Sequence, residues 1–285
     1  MLYLSLAVIC SVLVSVLLKV AGRRQLDVSQ MVTWNYLVAA TLTAVVLQPP
    51  LDALRAPHAP WLSLLALAVV LPSIFLVLGR AVAVAGIVRS DVAQRLSLLL
   101  SLAAAFLFFG QTATPWKLAG LALGLLAMVA ISLRPRGPTV ASSPGAWGWL
   151  LGVWAGFAVV DVLLKQVALS GTPSMAAVLA SFSVAFVLML ALQLWRHFSG
   201  CSRLAWRNLG AGALLGLLNG GNILFYVQAH QVMPDSPATV FAGMNIGVVV
   251  LGALVGVFAF GEATTKWNRA GLALAVLAIG LIAWG

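Results

Sequence analysis

Long apolar runs, separated by short polar breaks, recur along the chain. A helix needs roughly 20 apolar residues to cross about 30 Å of hydrocarbon, and ten runs approach that length. The runs are continuous, whereas strands of a membrane barrel alternate apolar and polar positions, so the pattern predicts helices. The predicted spans are 2–20, 30–48, 60–80, 88–109, 115–133, 146–168, 173–196, 207–230, 235–258 and 266–284.

The chain also contains an internal repeat. The sequence TPWKLAGLALGLLA at 114–127 returns as TKWNRAGLALAVLA at 265–278, an offset of 151 residues. Five predicted spans precede the Pro-, Gly- and Ser-rich stretch 134–145, whose composition is typical of a flexible connection, and five follow it. Because five is odd, each helix and its counterpart must cross the membrane in opposite directions.

The predicted fold class is therefore all-α and integral to the membrane, with ten transmembrane helices arranged as two inverted five-helix repeats. The first repeat is expected at 1–133, a cytoplasmic linker at 134–145 and the second repeat at 146–285. A composition that is 62% hydrophobic and 8% charged, with a mean hydropathy of +1.09, agrees with this class.

The net charge of +10 would favour nucleic acid binding in a soluble chain, but these cations fall in short loops between spans. In the predicted topology 13 of the 16 Lys and Arg residues share one side, and only Arg55, Lys117 and Lys165 lie on the other. Cytoplasmic loops carry the excess of Lys and Arg, so both termini are expected outside a bacterial inner membrane. The expected partners are the lipid bilayer and a small-molecule substrate, without nucleic acid; the oligomeric state stays open.

Each half of the chain carries one copy of a motif. It reads FGQ-x-x-x-x-W-K-x-x-G at 109–120 and FGE-x-x-x-x-W-N-x-x-G at 260–271. With ten spans in two inverted halves, the chain resembles the drug/metabolite transporter superfamily, specifically its EamA-type members. The resemblance implies that the first four helices of each half surround a central cavity, with the fifth and tenth helices peripheral. It also implies transport of amino acids, other metabolites or drugs. Many such proteins are described with both termini inside, which the charges of this chain oppose.

The first span is also similar to the first helix of small multidrug resistance transporters, which carries a glutamate in the membrane. The corresponding position is Ser11 here, and its repeat mate is Phe157. Proton or cation exchange through that glutamate is therefore not expected.

Inverted-repeat transporters bind substrate near the bilayer midplane, often beside helices interrupted by Gly or Pro. Pro72 in the third span and Gly220 with Gly221 in the eighth weaken equivalent helices, so we interpret them as hinges. The alternative is a tolerated kink or close packing through small residues. Asn219 and Asn222 bracket the glycines on one helix face, and amides facing lipid would lack partners, so they are predicted to line the cavity.

The fourth and ninth spans offer a second matched pair, Gln94 and Asn245. Arg95 lies roughly 10 Å into its helix at about 1.5 Å per residue. It is expected to face a wet cavity or an acid, or else to snorkel to the cytoplasmic face. If Arg95 faces the cavity, the substrate carries a carboxylate or phosphate. Ser97 and Ser101 extend this lining or bond their own backbone.

Asp161 is predicted as the one carboxylate well inside a span, with Lys165 four residues later on the same face. The two form a structural ion pair, or Asp161 titrates and couples transport to protons. Trp34 and Tyr36 near the start of the second span, and Tyr226 in the eighth, act either as interfacial anchors or as a gate that stacks on the substrate.

Enzyme signatures are missing from the sequence. The three His residues are isolated, and HExxH, GxSxG and a phosphate-cradling GxxxxGK are absent, so no catalytic residue, metal or cofactor is predicted. The sequence predicts a secondary transporter that moves a small amphipathic, amino acid-like or related metabolite by alternating access. The alternatives are a transporter of a lipid-linked or lipophilic compound and a non-transporting membrane receptor or scaffold.

Overall fold

A computed structural model describes residues 2–55, 59–108, 114–132, 145–234 and 237–284 of the chain. These residues form ten α-helices, one π-helical turn and one 3-10 turn, and no strand occurs in this part of the chain. The helices are α1 Leu2–Arg23, α2 Val28–Leu42, α3 Trp61–Ala85, α4 Ile87–Phe108, α5 Pro115–Ser132, α6 Ala146–Leu169, α7 Ser174–Phe198, α8 Trp206–Val232, α9 Pro237–Phe258 and α10 Lys266–Trp284.

The helices begin within two residues of the predicted spans. Two ends differ. A π-helical turn, Thr43–Leu47, continues α2 and stops at Gln48, which has a φ of 41°. Helix α3 runs to Ala85, five residues past its predicted end, because the turn into α4 needs only Gly86, whose φ of 92° favours glycine.

Eight helices of the described residues are long and apolar enough to cross a membrane: α1, α2 with its π-helical turn, α3 and α6 to α10. Helix α5 is also apolar, and α4 carries Arg89, Asp91 and Arg95 in its first three turns. Large apolar side chains face outward around the bundle, including Leu62, Val187 and Phe258, which are 85%, 62% and 83% exposed. This surface fits contact with lipid.

Helices α2 and α8 pack backbone to backbone through a glycine stripe on α8. A Cβ on Gly212 would lie 2.6 Å from the carbonyl oxygen of Met31, and one on Gly216 would lie 2.7 Å from the Cβ of Val38. Association of helices in lipid depends on such close packing, because lipid tails are as apolar as the side chains that they replace.

A polar cluster, the Asp27 cluster, joins the start of α2 to the end of α7 and the start of α8. Asp27 caps α2 by accepting from the backbone N–H groups of residues 29 and 30, and its carboxylate lies 3.1 Å from Arg196 Nη2. Gln30 Nε2 donates to Ser202 Oγ at 3.0 Å, and Asn208 Nδ2 donates to Gln30 Oε1 at 3.0 Å.

A second cluster, the Glu262 cluster, joins the segment after α9 to the start of α4. Glu262 accepts from the N–H groups of Ile87 at 2.7 Å and Val88 at 3.1 Å, which caps α4 with a negative charge. Lys19, near the end of α1, lies 3.3 Å from the same carboxylate. Both clusters therefore occupy one end of the bundle, here called the basic end because Arg24, Arg203 and other cations lie in its loops.

Helices α5 and α10 pair antiparallel. Asn268 near the start of α10 donates to the carbonyl of Ala130 near the end of α5, at 3.3 Å. The repeated Thr of the two motifs caps each helix: Thr114 Oγ1 accepts from Lys117 N at 3.3 Å, and Thr265 Oγ1 accepts from Asn268 N at 3.0 Å. The internal repeat thus marks the start of equivalent helices.

Gly212→Ala should lower the free energy of unfolding by about 1–3 kcal/mol, because the new methyl group must push α8 away from the α2 backbone. Gly210→Ala is the matched control, since a Cβ there meets no described residue within 4 Å and alanine favours a helix by up to about 1 kcal/mol. Thermal unfolding of both purified variants in detergent checks this. Equal melting temperatures for the two variants would contradict the packing.

Candidate functional site

Two adjoining cavities lie among α1, α3, α4 and α6 to α9, with volumes of about 320 Å³ and 230 Å³. Five side chains line both of them, so the cavities form one candidate site. The shared residues are Gln94, Arg95, Phe157, Asn222 and Tyr226.

The larger cavity has an apolar wall and a polar wall. Leu71, Phe75 and Phe182 line the first, and Ser11, Ser15 and Asn219 belong to the second. Its lining continues to Leu164 near the end of α6 and to Met175 and Val178 at the start of α7. The cavity therefore extends toward the end of the bundle opposite the basic end.

The smaller cavity is the more polar of the two. It contains Asp161, Ser97 and Asn245 beside apolar residues that include Met244. Asp161 Oδ2 accepts from Ser101 Oγ of α4 at 2.7 Å. Ser97 and Asn245 donate to carbonyl groups of their own helices, at 2.7 and 2.9 Å.

Arg95 reaches from α4 across to α1. Its Nη2 donates to Ser11 Oγ at 2.7 Å, while its buried Nε atom has no hydrogen-bond partner in the ranges that the structure describes. Since the side chain lines both cavities, its charge is available to a ligand there.

Helix α8 supplies two amides of the site, Asn219 and Asn222. Asn222 Nδ2 donates to the carbonyl of Ala7 in α1 at 2.8 Å, which fixes α8 against α1 beside the cavity. Tyr226, one turn further along, packs edge-on against His230 with ring centroids 4.7 Å apart. Of the nine predicted cavity residues, seven line the two cavities: Gln94, Arg95, Ser97, Asn219, Asn222, Tyr226 and Asn245.

The structure does not bring Trp34 and Tyr36 into these cavities. Tyr36 is fully buried behind the wall, with its ring edge-on to Phe75 at 6.1 Å and to Phe182 at 5.4 Å between centroids. Trp34 lines a separate surface pocket with Trp206, at the start of α8. Adjacent positions of a helix point in different directions, so depth in the membrane alone did not predict which side chain faces the cavity.

The residues predicted as hinges lie in continuous helices. Pro72 is buried within α3, and α8 passes through Gly220 and Gly221 without a break. Gly220 packs on Leu42 of α2, where a Cβ would lie 2.8 Å from Leu42 Cδ1. Close packing thus describes Gly220 in this conformation, and the hinge role stays a prediction.

The sequence predicted either an ion pair between Asp161 and Lys165 or a titrating Asp161 that couples transport to protons. Asp161 bonds to Ser101, and neither ion pair seen within 4 Å in the described ranges, Lys19–Glu262 or Arg196–Asp27, includes it. Whether Asp161 has a structural or a coupling role stays a prediction.

Sequence reasoning missed Asp91, a second carboxylate inside a helix. It is 2% exposed, in the second turn of α4, and accepts from Ser15 Oγ of α1 at 2.6 Å. The available signal was its position four residues before Arg95, which places opposite charges on one face of a span. Glu262 was also missed, because only the fold brings it to the start of α4.

Three comparisons place this architecture among known proteins. The model of the EamA-like transporter family matches residues 1–133. An uncharacterized protein of Haemophilus influenzae is 39% identical over 283 residues, which cover 96% of this chain and 94% of that protein. A solved crystal structure of a protein with 18% identity covers 98% of this chain and 95% of its own, with a TM-score of 0.59, and supports the fold alone.

The apolar helices agree with the family match at 1–133, and the relative spans nearly the whole chain. The chain is a multi-pass integral membrane protein that belongs to the EamA-like transporter family, within the drug/metabolite transporter superfamily.

Proposed function

We propose that the protein is a secondary transporter that binds a small amphipathic, amino acid-like metabolite in the two adjoining cavities and moves it by alternating access. The observation that carries the proposal is that α4 and α6, from different halves of the chain, bring Arg95 and Asp161 to one cavity. A guanidinium suits a carboxylate or phosphate, and a carboxylate suits an ammonium group.

The remaining lining fits the apolar part of such a substrate. Phe75, Phe157 and Phe182 offer aromatic surface on the larger cavity, and Asn222 and Gln94 supply amides at its polar wall. Ligand sites are mostly apolar with a few placed polar groups, and about 300 Å³ is enough for a small molecule.

We also propose that residues 1–133 and 146–285 are inverted five-helix repeats and that all ten helices span the membrane. Counterpart helices support this, since Glu262 after α9 caps the start of α4, and Asn268 at the start of α10 bonds Ala130 near the end of α5. Such antiparallel pairing is what an inverted repeat requires. The polar residues of α4 face other helices and the cavities, which makes a membrane position for α4 feasible. Apart from Gly145, the predicted linker lies outside the described residues.

Alternating access requires a site that is closed toward one end and reachable from the other. The Asp27 and Glu262 clusters tie helices of both halves together at the basic end, while the cavity lining continues to Met175 at the opposite end. By the positive-inside rule the basic end is cytoplasmic and both termini are outside, so this conformation faces outward from the inner membrane. Transport then requires the two clusters to separate while the opposite end closes.

Substrate binding should depend on Arg95. In proteoliposomes preloaded with the twenty amino acids, counterflow of an isotope-labelled mixture should fall about 10- to 100-fold in Arg95→Gln. A hydrogen bond to a charged group contributes about 1.5–3 kcal/mol, and each 1.4 kcal/mol is about tenfold. Arg80→Gln is the matched control, because Arg80 is exposed on α3. Equal counterflow in both variants would overturn the assignment of Arg95.

Solutes should reach the cavity from only one side of the membrane in this conformation. In a Cys10→Ser background, a membrane-impermeant maleimide should label Cys201, which is exposed in the loop between α7 and α8, in inverted vesicles but not in intact cells. With Cys201→Ser and Val178→Cys, the cavity thiol should instead react in intact cells. The reason is that Cys201 lies at the basic end, whereas the cavity extends to the opposite end.

The labelling pattern separates two claims. Reversed sides for both thiols would refute the orientation alone. Equal labelling of the cavity thiol from both sides would refute closure at the basic end.

A further inference from the structure

Asp91 is a buried carboxylate that forms one hydrogen bond within the described part of the chain. Ser15 Oγ donates to its Oδ1 at 2.6 Å, and its Oδ2 has no hydrogen-bond partner among the described residues. That second oxygen is directed at α9, where it would contact a Cβ placed on Gly252. The backbone of α9 at Gly252 therefore packs directly against the carboxyl group of Asp91.

The charged groups near Asp91 lie on its own helix, on α1 and in the segment after α9. On its own helix, Arg89 lies two residues before it, and Arg95, four residues after it, donates to Ser11. On α1, Lys19 pairs with Glu262, which caps α4 from beyond α9. Helix α9 itself, residues 237–258, contains no titratable side chain. No ion pair within 4 Å in the described part of the chain includes Asp91.

An ionised carboxylate in this place would carry an unpartnered oxygen against the backbone of a helix inside the membrane, which is costly. A bound proton removes that charge. A metal cation is a poor alternative, because such ions collect several oxygen ligands and the glycine backbone of α9 occupies the space next to Oδ2. The geometry therefore favours a neutral carboxyl group in this conformation.

We propose that Asp91 is a proton-binding site that couples proton movement to substrate transport through Arg95. The inference rests on the proposed transport function and names proton movement as the source of energy for transport. Asp91 and Arg95 are four residues apart on α4, so the carboxylate and the guanidinium can meet along one helix face.

The two side chains then exchange partners. When a proton from the solvent binds to an Asp91 carboxylate oxygen, Arg95 has no anion on its own helix and points to Ser11 in the cavity, as observed. A substrate carboxylate can then bind the guanidinium. When Asp91 releases the proton, its carboxylate attracts Arg95 and competes with the substrate.

This exchange fixes the stoichiometry and the sign of the coupling. One proton and one substrate carboxylate bind together, so proton and substrate move in the same direction. The empty carrier returns with Asp91 and Arg95 as a neutral pair. Coupling free energy is reciprocal, so the substrate must also raise the affinity of Asp91 for the proton.

Infrared difference spectroscopy of the purified full-length protein in lipid tests the proton site without any substrate. We expect a band from a buried protonated carboxyl group that disappears as the pH rises, is lost in Asp91→Asn and persists in Asp52→Asn, the same change at an exposed residue. Ser15→Ala, which removes only the hydrogen-bond donor, should shift the band and keep it; this variant tests the site if Asp91→Asn fails to fold. A band that survives in Asp91→Asn, that is lost only in Asp161→Asn, or that is insensitive to Ser15→Ala would overturn the proposal.

Proton uptake on ligand addition tests the coupling. With the twenty-amino-acid mixture as the probe and a pH-indicator dye in weak buffer, binding to the wild-type protein should take up protons, and Asp91→Asn should lose that uptake. Binding without proton uptake would refute the coupling and leave the transport proposal standing. A carboxyl band without binding of any amino acid would refute the substrate class and leave the proton site standing.

Discussion

In the proposed ten-span topology, the first half of α4 imposes one constraint on the fold: a polar helix face inside a membrane must be covered by protein or by water. Asp91, Gln94, Arg95 and Ser97 would be left without partners in hydrocarbon. Helices α1, α6 and α9 close around this face, with Ser15 and Ser11 of α1 bonding Asp91 and Arg95. The space that remains beside it is the candidate site.

The same helix connects the candidate site to the basic end of the bundle. Glu262 caps α4 at its first N–H groups, only one turn before Asp91, and Lys19 holds that carboxylate from α1. Opening the basic end would have to move the Glu262 cluster, and with it the start of α4. In the proposed mechanism, a charge change at Asp91 or Arg95 and a movement of the Glu262 cluster would both act on α4, and an element that both sites bias is what coupling between distant sites requires.

The fold was largely predictable because its signal is local. Continuous apolar runs gave α6 and α10 almost to the residue, at Ala146–Leu169 and Lys266–Trp284. The amides Asn219 and Asn222 were predicted for the cavity because an amide that faces lipid would lack hydrogen-bond partners. Each of these inferences needs only one stretch of sequence.

The features that the sequence did not predict depend on the rotation of a helix about its axis and on contacts between residues that are far apart in the sequence. The position of Tyr36 in the second span suggested a gate, but the rotation of α2 places its ring behind Phe75 and Phe182. The Glu262 cap joins positions 175 residues apart, and the glycine stripe on α8 makes sense only once α2 is known to lie against it. Asp91 was visible in the sequence, but its importance comes from Ser15 and Gly252 on two other helices.

The central claim is that the polar site is reached from one end of the bundle at a time. The most direct test measures the distance between two spin labels at each end of the bundle. One pair would replace the exposed Arg24 and Arg203 at the basic end, and the other would replace the exposed Asp52 and Leu169 at the opposite end. On addition of the amino acid mixture, the account predicts reciprocal changes, with the first distance increasing as the second decreases. Distances that stay fixed, or that increase together, would contradict it.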